Sequence, residues 1–260
     1  TYHNINTYAL GTYASSSNEV QYDLNHPNQV ISEGDKFGYS YNIFVNKANA
    51  WMGYTLDKGI FHSFINAKIG GTNMQREGKM RNGLAANNSY GKSGTAHFLD
   101  GGAKIGTNIN MGRGNTIVLG AGYEWIAPLA STAFASPEIN NDFVQNLKCE
   151  RVFTSEVGYQ LETSWLHANI NGFYSRTEDG TEWQNFYFDD INSFSYVSMN
   201  NIKKAYYGVE MGLNFKINSA FNVKAIGTWS DAKNMNNSKV RYMNSTKGTY
   251  TDDICMNKGM

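Results

Sequence analysis

From Tyr207 to Ile217 every second side chain is apolar, namely Tyr207, Val209, Met211, Leu213, Phe215 and Ile217. Between them stand Gly208, Glu210, Gly212, Asn214 and Lys216. A strict period of two is the signature of a strand whose faces meet different surroundings. The pattern recurs in "FTSEVGYQLETSWLHANINGFYSR", where Phe153, Val157, Tyr159 and Leu161 alternate with Thr154, Glu156, Gly158 and Gln160. After a turn at Glu162 to Ser164 it returns through Leu166, Ala168, Ile170 and Tyr174, against His167, Asn169 and Asn171. "GGAKIGTNINMGRGNTIVLGAGYEW" follows the same plan around "NMGRGN". These are three hairpins of one kind, with glycines at matching distances from each turn: Gly106 with Gly120, Gly158 with Gly172, Gly212 with Gly227.

Read along its length, the chain gives about ten strands, near residues 5–13, 38–46, 50–56, 60–71, 95–109, 116–126, 151–161, 164–177, 203–217 and 220–231. Tight turns close the hairpins, whereas longer polar or aromatic segments, Ala127 to Cys149 and Thr177 to about Asn201, join one hairpin to the next. Short turns on one rim and long loops on the other are expected of outer-membrane barrels. A strand of about 10 residues at ~3.3 Å per residue, tilted near 45°, rises roughly 24 Å, the height of their apolar band. The expected fold is therefore all-β: an antiparallel up-and-down transmembrane β-barrel meander, with the apolar face on lipid and the polar face on a wet lumen. With about ten strands against ~22 in a plugged transporter barrel, residues 1–260 read as one partial barrel domain of a larger one, without a plug. One conflict stays open: if Asp57 to Gly59 is a tight turn, parity puts the long 15–36 connection on the tight-turn rim. The closing "DDICMNKGM" shows no strand pattern.

Composition supports two solvents rather than two packed sheets. The chain carries 26 Gly, 17 Tyr and 14 Phe but only 3 Pro, and its mean hydropathy is −0.49. Lys plus Arg (22) balances Asp plus Glu (22), which gives no electrostatic case for nucleic acid. No run approaches the ~18 apolar residues of a membrane helix, and no basic-plus-apolar leader is present in these residues. Cys149 and Cys255 lack metal spacing; a disulfide between them stays open.

"NLKCERVFTSEVGYQL" (Asn146 to Leu161) resembles a stretch of TonB-dependent outer-membrane receptors in which Asn-x-Leu-Lys-Pro-Glu precedes a strand with Glu-x-Gly-Tyr. Glu150, Glu156, Gly158 and Tyr159 fit, and Cys149 stands where proline is usual. "YGVEMGLNFKI", "AFASPEINND", "REGKMRNGL" and "NNSYGKS" are similar to the Bacteroidetes-type members of that family. The resemblance covers roughly residues 37–235 and implies active import of a scarce, bulky nutrient of the siderophore, cobalamin, glycan or peptide class. It also implies outer-membrane lipid as surroundings and the TonB complex as energy source, acting through a plug and TonB box not found in these residues.

Chemistry-bearing residues are few. His3, His26, His62, His97 and His167 are scattered; His167, beside Asn169 and Asn171 on the polar face, is the least remote from a catalytic role, against a solvated lumen histidine. Glu178, Asp179, Glu182, Asp189 and Asp190 read as a solvated loop rather than a calcium site. "GKSGT" lacks the upstream glycine of a phosphate loop, since Ala86 stands there. No cofactor, metal or catalytic set is expected. The candidate ligand contacts are Trp183, Phe186, Tyr187 and Phe188 in the aromatic segment "WQNFYF", with an interfacial aromatic girdle as the competing role. Lys104, Glu124, Glu156, Glu210, Lys216 and Lys224 are expected to form a hydrated wall. Another class stays possible, a small self-closed barrel acting as adhesin or outer-membrane enzyme, and a soluble β-sandwich is a third.

Overall fold

The structure, a computed structural model, describes residues 18, 21–188, 193–244 and 249–260, with the side chains of 185–188, 193–196 and 244 outside the description. The strand expected near 5–13 falls outside it. Eleven antiparallel strands form one sheet: β1 Tyr41–Lys58, β2 Phe61–Gly78, β3 Gly91–Lys92, β4 Ala96–Gly112, β5 Asn115–Ile126, β6 Glu150–Glu162, β7 Leu166–Phe188, β8 Ser193–Lys216, β9 Asn222–Asn234, β10 Ser238–Asn244 and β11 Thr249–Cys255. Their order is β1-β2-β4-β5-β6-β7-β8-β10-β11, with β3 on β2 and β9 on β8. Because β9 and β10 both run antiparallel to β8, along its second and first halves respectively, they act as one interrupted strand. The fold is the expected all-β up-and-down meander.

Register shows why the alternation is so sharp. Leu119, Val157, Gly172, Val209 and Trp229 lie side by side across five strands. The adjoining row on the opposite face runs Phe64, Gly106, Gly120, Glu156, Phe173, Gly208 and Ser230. The first face is a continuous sheet of large apolar groups left uncovered, Ile105 at 58%, Val157 at 57% and Trp229 at 61% exposure. A patch of that extent far exceeds what a water-exposed monomer carries. Lys104, Glu124, Glu156, Glu210, Lys216 and Lys224 all fall on the other face, as expected, and Glu124 pairs there with Lys68 (2.7 Å) and Lys104 (3.6 Å). Among the described residues no helix is long and apolar enough to cross a membrane, and the longest α-helix is the single turn Ala130–Ala133.

Three expectations need correction. The two strands expected at 38–46 and 50–56 are one 18-residue strand, β1. That restores parity: the turns after β1, β4, β6 and β8 share one rim, while the connections before β1 and after β2, β5 and β7 share the other. The aromatic and acidic stretch Thr177 to Asn201 is not a loop but mainly the extension of β7 and β8, paired from Glu182↔Met199 to Phe188↔Ser193. The chain end carries β11, which pairs with β10 from Ser238↔Cys255 to Asn244↔Thr249. Of the glycine pairs, only Gly106 and Gly120 lie directly opposite each other; Gly158 meets Asn171, and Gly212 meets Ile226.

The sheet does not close among the described residues. β1 pairs only with β2, β9 only with β8, and β11 only with β10.

Candidate functional site

Among the described residues, the buried side chains cluster towards the long-connection rim. Residues 133–144 of the β5–β6 connection fold as a small hairpin of their own, Val144 N–H bonding to Ala133 O (2.9 Å) and Ala135 N–H to Asp142 O (2.9 Å). Phe134, fully buried, stacks on Phe143 with centroids 4.5 Å apart and packs with Met74, Ala127 and Ala133. Ile43 and Phe98 press on the same cluster, so the connection is seated on the polar-face side of β1, β2 and β4.

Arg76, 2% exposed, is the polar centre of this knot. Its Nε donates to Pro137 O (2.8 Å) and one terminal nitrogen donates to Ser89 O (3.0 Å) and to Asn141 Oδ1 (2.5 Å), while the guanidinium lies 4.9 Å from the Tyr41 ring centre. Burial lowers the Arg76 pKa, opposed by Tyr41, yet a guanidinium starts so high that it stays a cation. The 79–95 connection joins through Asn141 N–H to Asn88 O (2.8 Å) and Asn88 Nδ2 to Asp142 Oδ1 (2.6 Å). Residues 21–28 dock on that connection in turn, Leu24 N–H reaching Arg81 O (2.7 Å) and Arg81 N–H reaching Asp23 Oδ1 (2.9 Å). At the opposite end of the sheet order, Tyr250 of β11 accepts from Asn140 Nδ2 (2.7 Å) and donates to Asp142 Oδ2 (3.4 Å). Asn200 Nδ2 of β8 donates to Gln145 O (2.7 Å). The connection thus straps the β2 side of the sheet to the β8–β11 side. The segments "REGKMRNGL", "NNSYGKS" and "AFASPEINND", which carry no local chemical motif, converge here, a convergence only tertiary structure reveals.

Beside the strap, β7, β8 and the β9–β10 strand all break at one height. Asp179 (φ 57°) and Asn201 (φ 55°) occupy the left-handed region, and the pairing of β7 with β8 shifts there. Asn236 fills the gap between β9 and β10, its Oδ1 accepting from Lys203 N–H (2.9 Å) and its Nδ2 donating to Asn201 O (2.8 Å). Across the break Val197, Met199 and Ile202 form a buried cluster with Val240, Tyr242 and Cys255. A cleft of about 320 Å³ opens at the break, lined by Asn146, Lys148, Asp179, Thr181, Asn200, Asn201 and Lys239.

Of the candidate ligand contacts, Trp183 is half-buried in β7 opposite Ser198. Phe186, Tyr187 and Phe188 continue the same strand opposite Ser195, Phe194 and Ser193, with their side chains outside the described residues. The acidic residues of this region are taken up by neighbours: Arg151 holds Asp179 (2.7 Å) and Glu178 (3.0 Å), and Lys204 holds Glu182. Asp189 and Asp190 lie outside the described residues. His167 pairs with Glu162 and Asn214 near the short-turn rim, at the other end of the wall from the knot. Cys149 and Cys255 are free thiols; Cys149 Sγ rests 3.4 Å from Leu99 O.

No protein-family model matches the chain, and no curated protein sequence matches it. Among solved structures, the chain is similar to one named copper transporter OprC, with a TM-score of 0.60 at 14% identity over 79% of this chain. The match covers 33% of that structure's chain, so these residues span about a third of its length. At this identity the likeness establishes the fold: a wall of antiparallel strands of the kind found in a transporter barrel.

Proposed function

We propose that these residues form the wall and outer rim of a TonB-dependent outer-membrane receptor that imports a scarce, bulky nutrient of the siderophore, cobalamin, glycan or peptide class. The observation carrying this reading is the open two-faced sheet. One face is apolar across β1 to β9, the other is hydrated, and the edges at β1, β9 and β11 are unpaired among the described residues. Lipid cannot satisfy such edges, so further strands of the same barrel are the fitting continuation. Similarity to a transporter barrel supports the barrel alone; the TonB-dependent, Bacteroidetes-type reading rests on the resemblance of the Asn146–Leu161 segment and its companions. OprC is named for copper; the cargo proposed here is organic, on the resemblance.

In this reading the protein resides in the outer membrane of a Gram-negative cell and performs no catalysis. Trp183, Phe186, Tyr187 and Phe188 contribute contacts for the arriving nutrient. The TonB complex acts through a plug and box outside these 260 residues. Deleting the gene and supplying ferric siderophores, cobalamin, glycans and peptides singly at limiting concentration is the test. Loss of growth on one of them, reproduced by de-energising the TonB complex, is expected. Unchanged growth on all four, or recovery of the full protein in the soluble fraction, contradicts the reading.

A further inference from the structure

We infer that the cleft at the strand break is an oxyanion-binding site, built to take a phosphate or carboxylate group of an incoming solute. Among the described residues, the side chains of Lys148, Lys239, Asn146 and Asn201 make no ion pair or hydrogen bond with the protein, although all four line the same cleft. Two ammonium groups sharing one polar cleft repel each other unless an anion sits between them. The cleft's single carboxylate, Asp179, does not fill that role, because Arg151 Nε (2.9 Å) and its terminal nitrogen (2.7 Å) neutralise it from outside. The lining therefore presents two uncompensated positive charges and amide donors.

Backbone geometry singles out the same place. Among the described residues, five non-glycine residues have positive φ, and three of them, Asn146, Asp179 and Asn201, line this cleft. Asn and Asp enter this region more readily than other non-glycine residues, and such conformations collect where the chain must place groups for a task. Asn200 Nδ2 is held on Gln145 O (2.7 Å), which fixes the strap's end against β8 and sets one wall of the cleft. In the adjoining groove Arg241 pairs with Asp252 at 2.6 Å, and among the described residues Asp253, the groove's other carboxylate, makes no ion pair with Lys239. Calling the anion part of the cargo rests on the importer reading; anion binding itself does not.

The test uses the full-length protein in phosphatidylcholine nanodiscs, titrated with inorganic pyrophosphate and, separately, with citrate by calorimetry. Wild type should bind at least one of them, more weakly as ionic strength rises. Lys148→Ala and Lys239→Ala should each weaken binding about tenfold, as expected for loss of one charge-assisted bond, and the double variant should bind neither. Lys92→Ala, at the same rim but outside the cleft, should be unchanged. A second arm adds lipid A to the discs: unchanged pyrophosphate or citrate binding identifies a soluble solute, whereas competition identifies a lipid phosphate as the occupant of the same anion site. No binding by wild type, or equal binding by the folded double variant, overturns the assignment. Nutrient uptake is scored separately, so a failed importer reading leaves this result legible, and the reverse.

Discussion

The lower wall and the outer rim are built from the same strands by opposite means. In the wall, neighbouring positions diverge completely, as Val209 and Glu210 do, and large side chains such as Trp229 stay uncovered by protein. At the rim the alternation lapses, and Arg76, Phe134, Ser136 and Met243 are each almost fully enclosed by other parts of the chain. On the reading proposed above, lipid and lumen water cover the wall, whereas the rim has to supply its own interior. Hydrogen bonds and aromatic packing around Arg76 are how it does so.

The sharpest way to break this contrast is to place a charge on the wall. Val209→Arg or Met211→Arg should destabilise insertion by about 2–4 kcal/mol, while Glu210→Arg, one residue away, should change it little, as measured by folding titrations into lipid vesicles. Next in size is the rim's own centre. Arg76→Ala leaves the carbonyls of Pro137 and Ser89 and the amide of Asn141 without their donor, at about 1–3 kcal/mol for each buried group left unsatisfied. Limited proteolysis should then cut within residues 127–149 with the membrane-embedded strands still intact.

A third substitution separates strain from space at the same rim. An added Cβ at Gly78 would fall 1.7 Å from Ser89 O, a backbone atom, whereas Gly94 has nothing within 4 Å. Gly78→Ala should loosen the 79–95 connection and Gly94→Ala should not, read by hydrogen exchange of residues 79–95. Smallest is the Tyr250 latch. Burial raises the Tyr250 phenol above its usual value near 10, with the neighbouring Asp142 acting in the same direction. A raised folded-state pKa means the contribution is complete below the ordinary phenol pKa and is lost as pH rises through the raised value. Proteolysis at residues 127–149 should therefore increase only in strong alkali, and Tyr250→Phe should abolish that step at a cost of about 1 kcal/mol.

Legibility in the sequence followed the same divide. Where two different surroundings impose a period of two, the strands are legible almost to their ends, as in β5 and β6. β1 read as two strands because Asn46, Lys47 and Asn49 interrupt its alternation. The upper halves of β7 and β8 read as a loop because the breaks at Asp179 and Asn201 interrupt the strand pattern in an acidic, aromatic stretch. β10 and β11 escaped for a related reason: Lys239 and Arg241 alternate with Val240 and Tyr242 over only seven residues, too few for a clear period. The Lys148–Lys239 cleft joins residues 91 positions apart in the sequence, and no local pattern points to it.

The most direct test of the two-solvent wall is a spin-label scan from 207 to 216 in the full-length protein, with Cys149 and Cys255 replaced by serine, in its native outer membrane. Accessibility to oxygen should peak at 207, 209, 211, 213 and 215, and accessibility to a water-soluble nickel complex should stay low at those same positions. Oxygen accessibility without a period of two, or with its peaks on the even residues, would contradict the account.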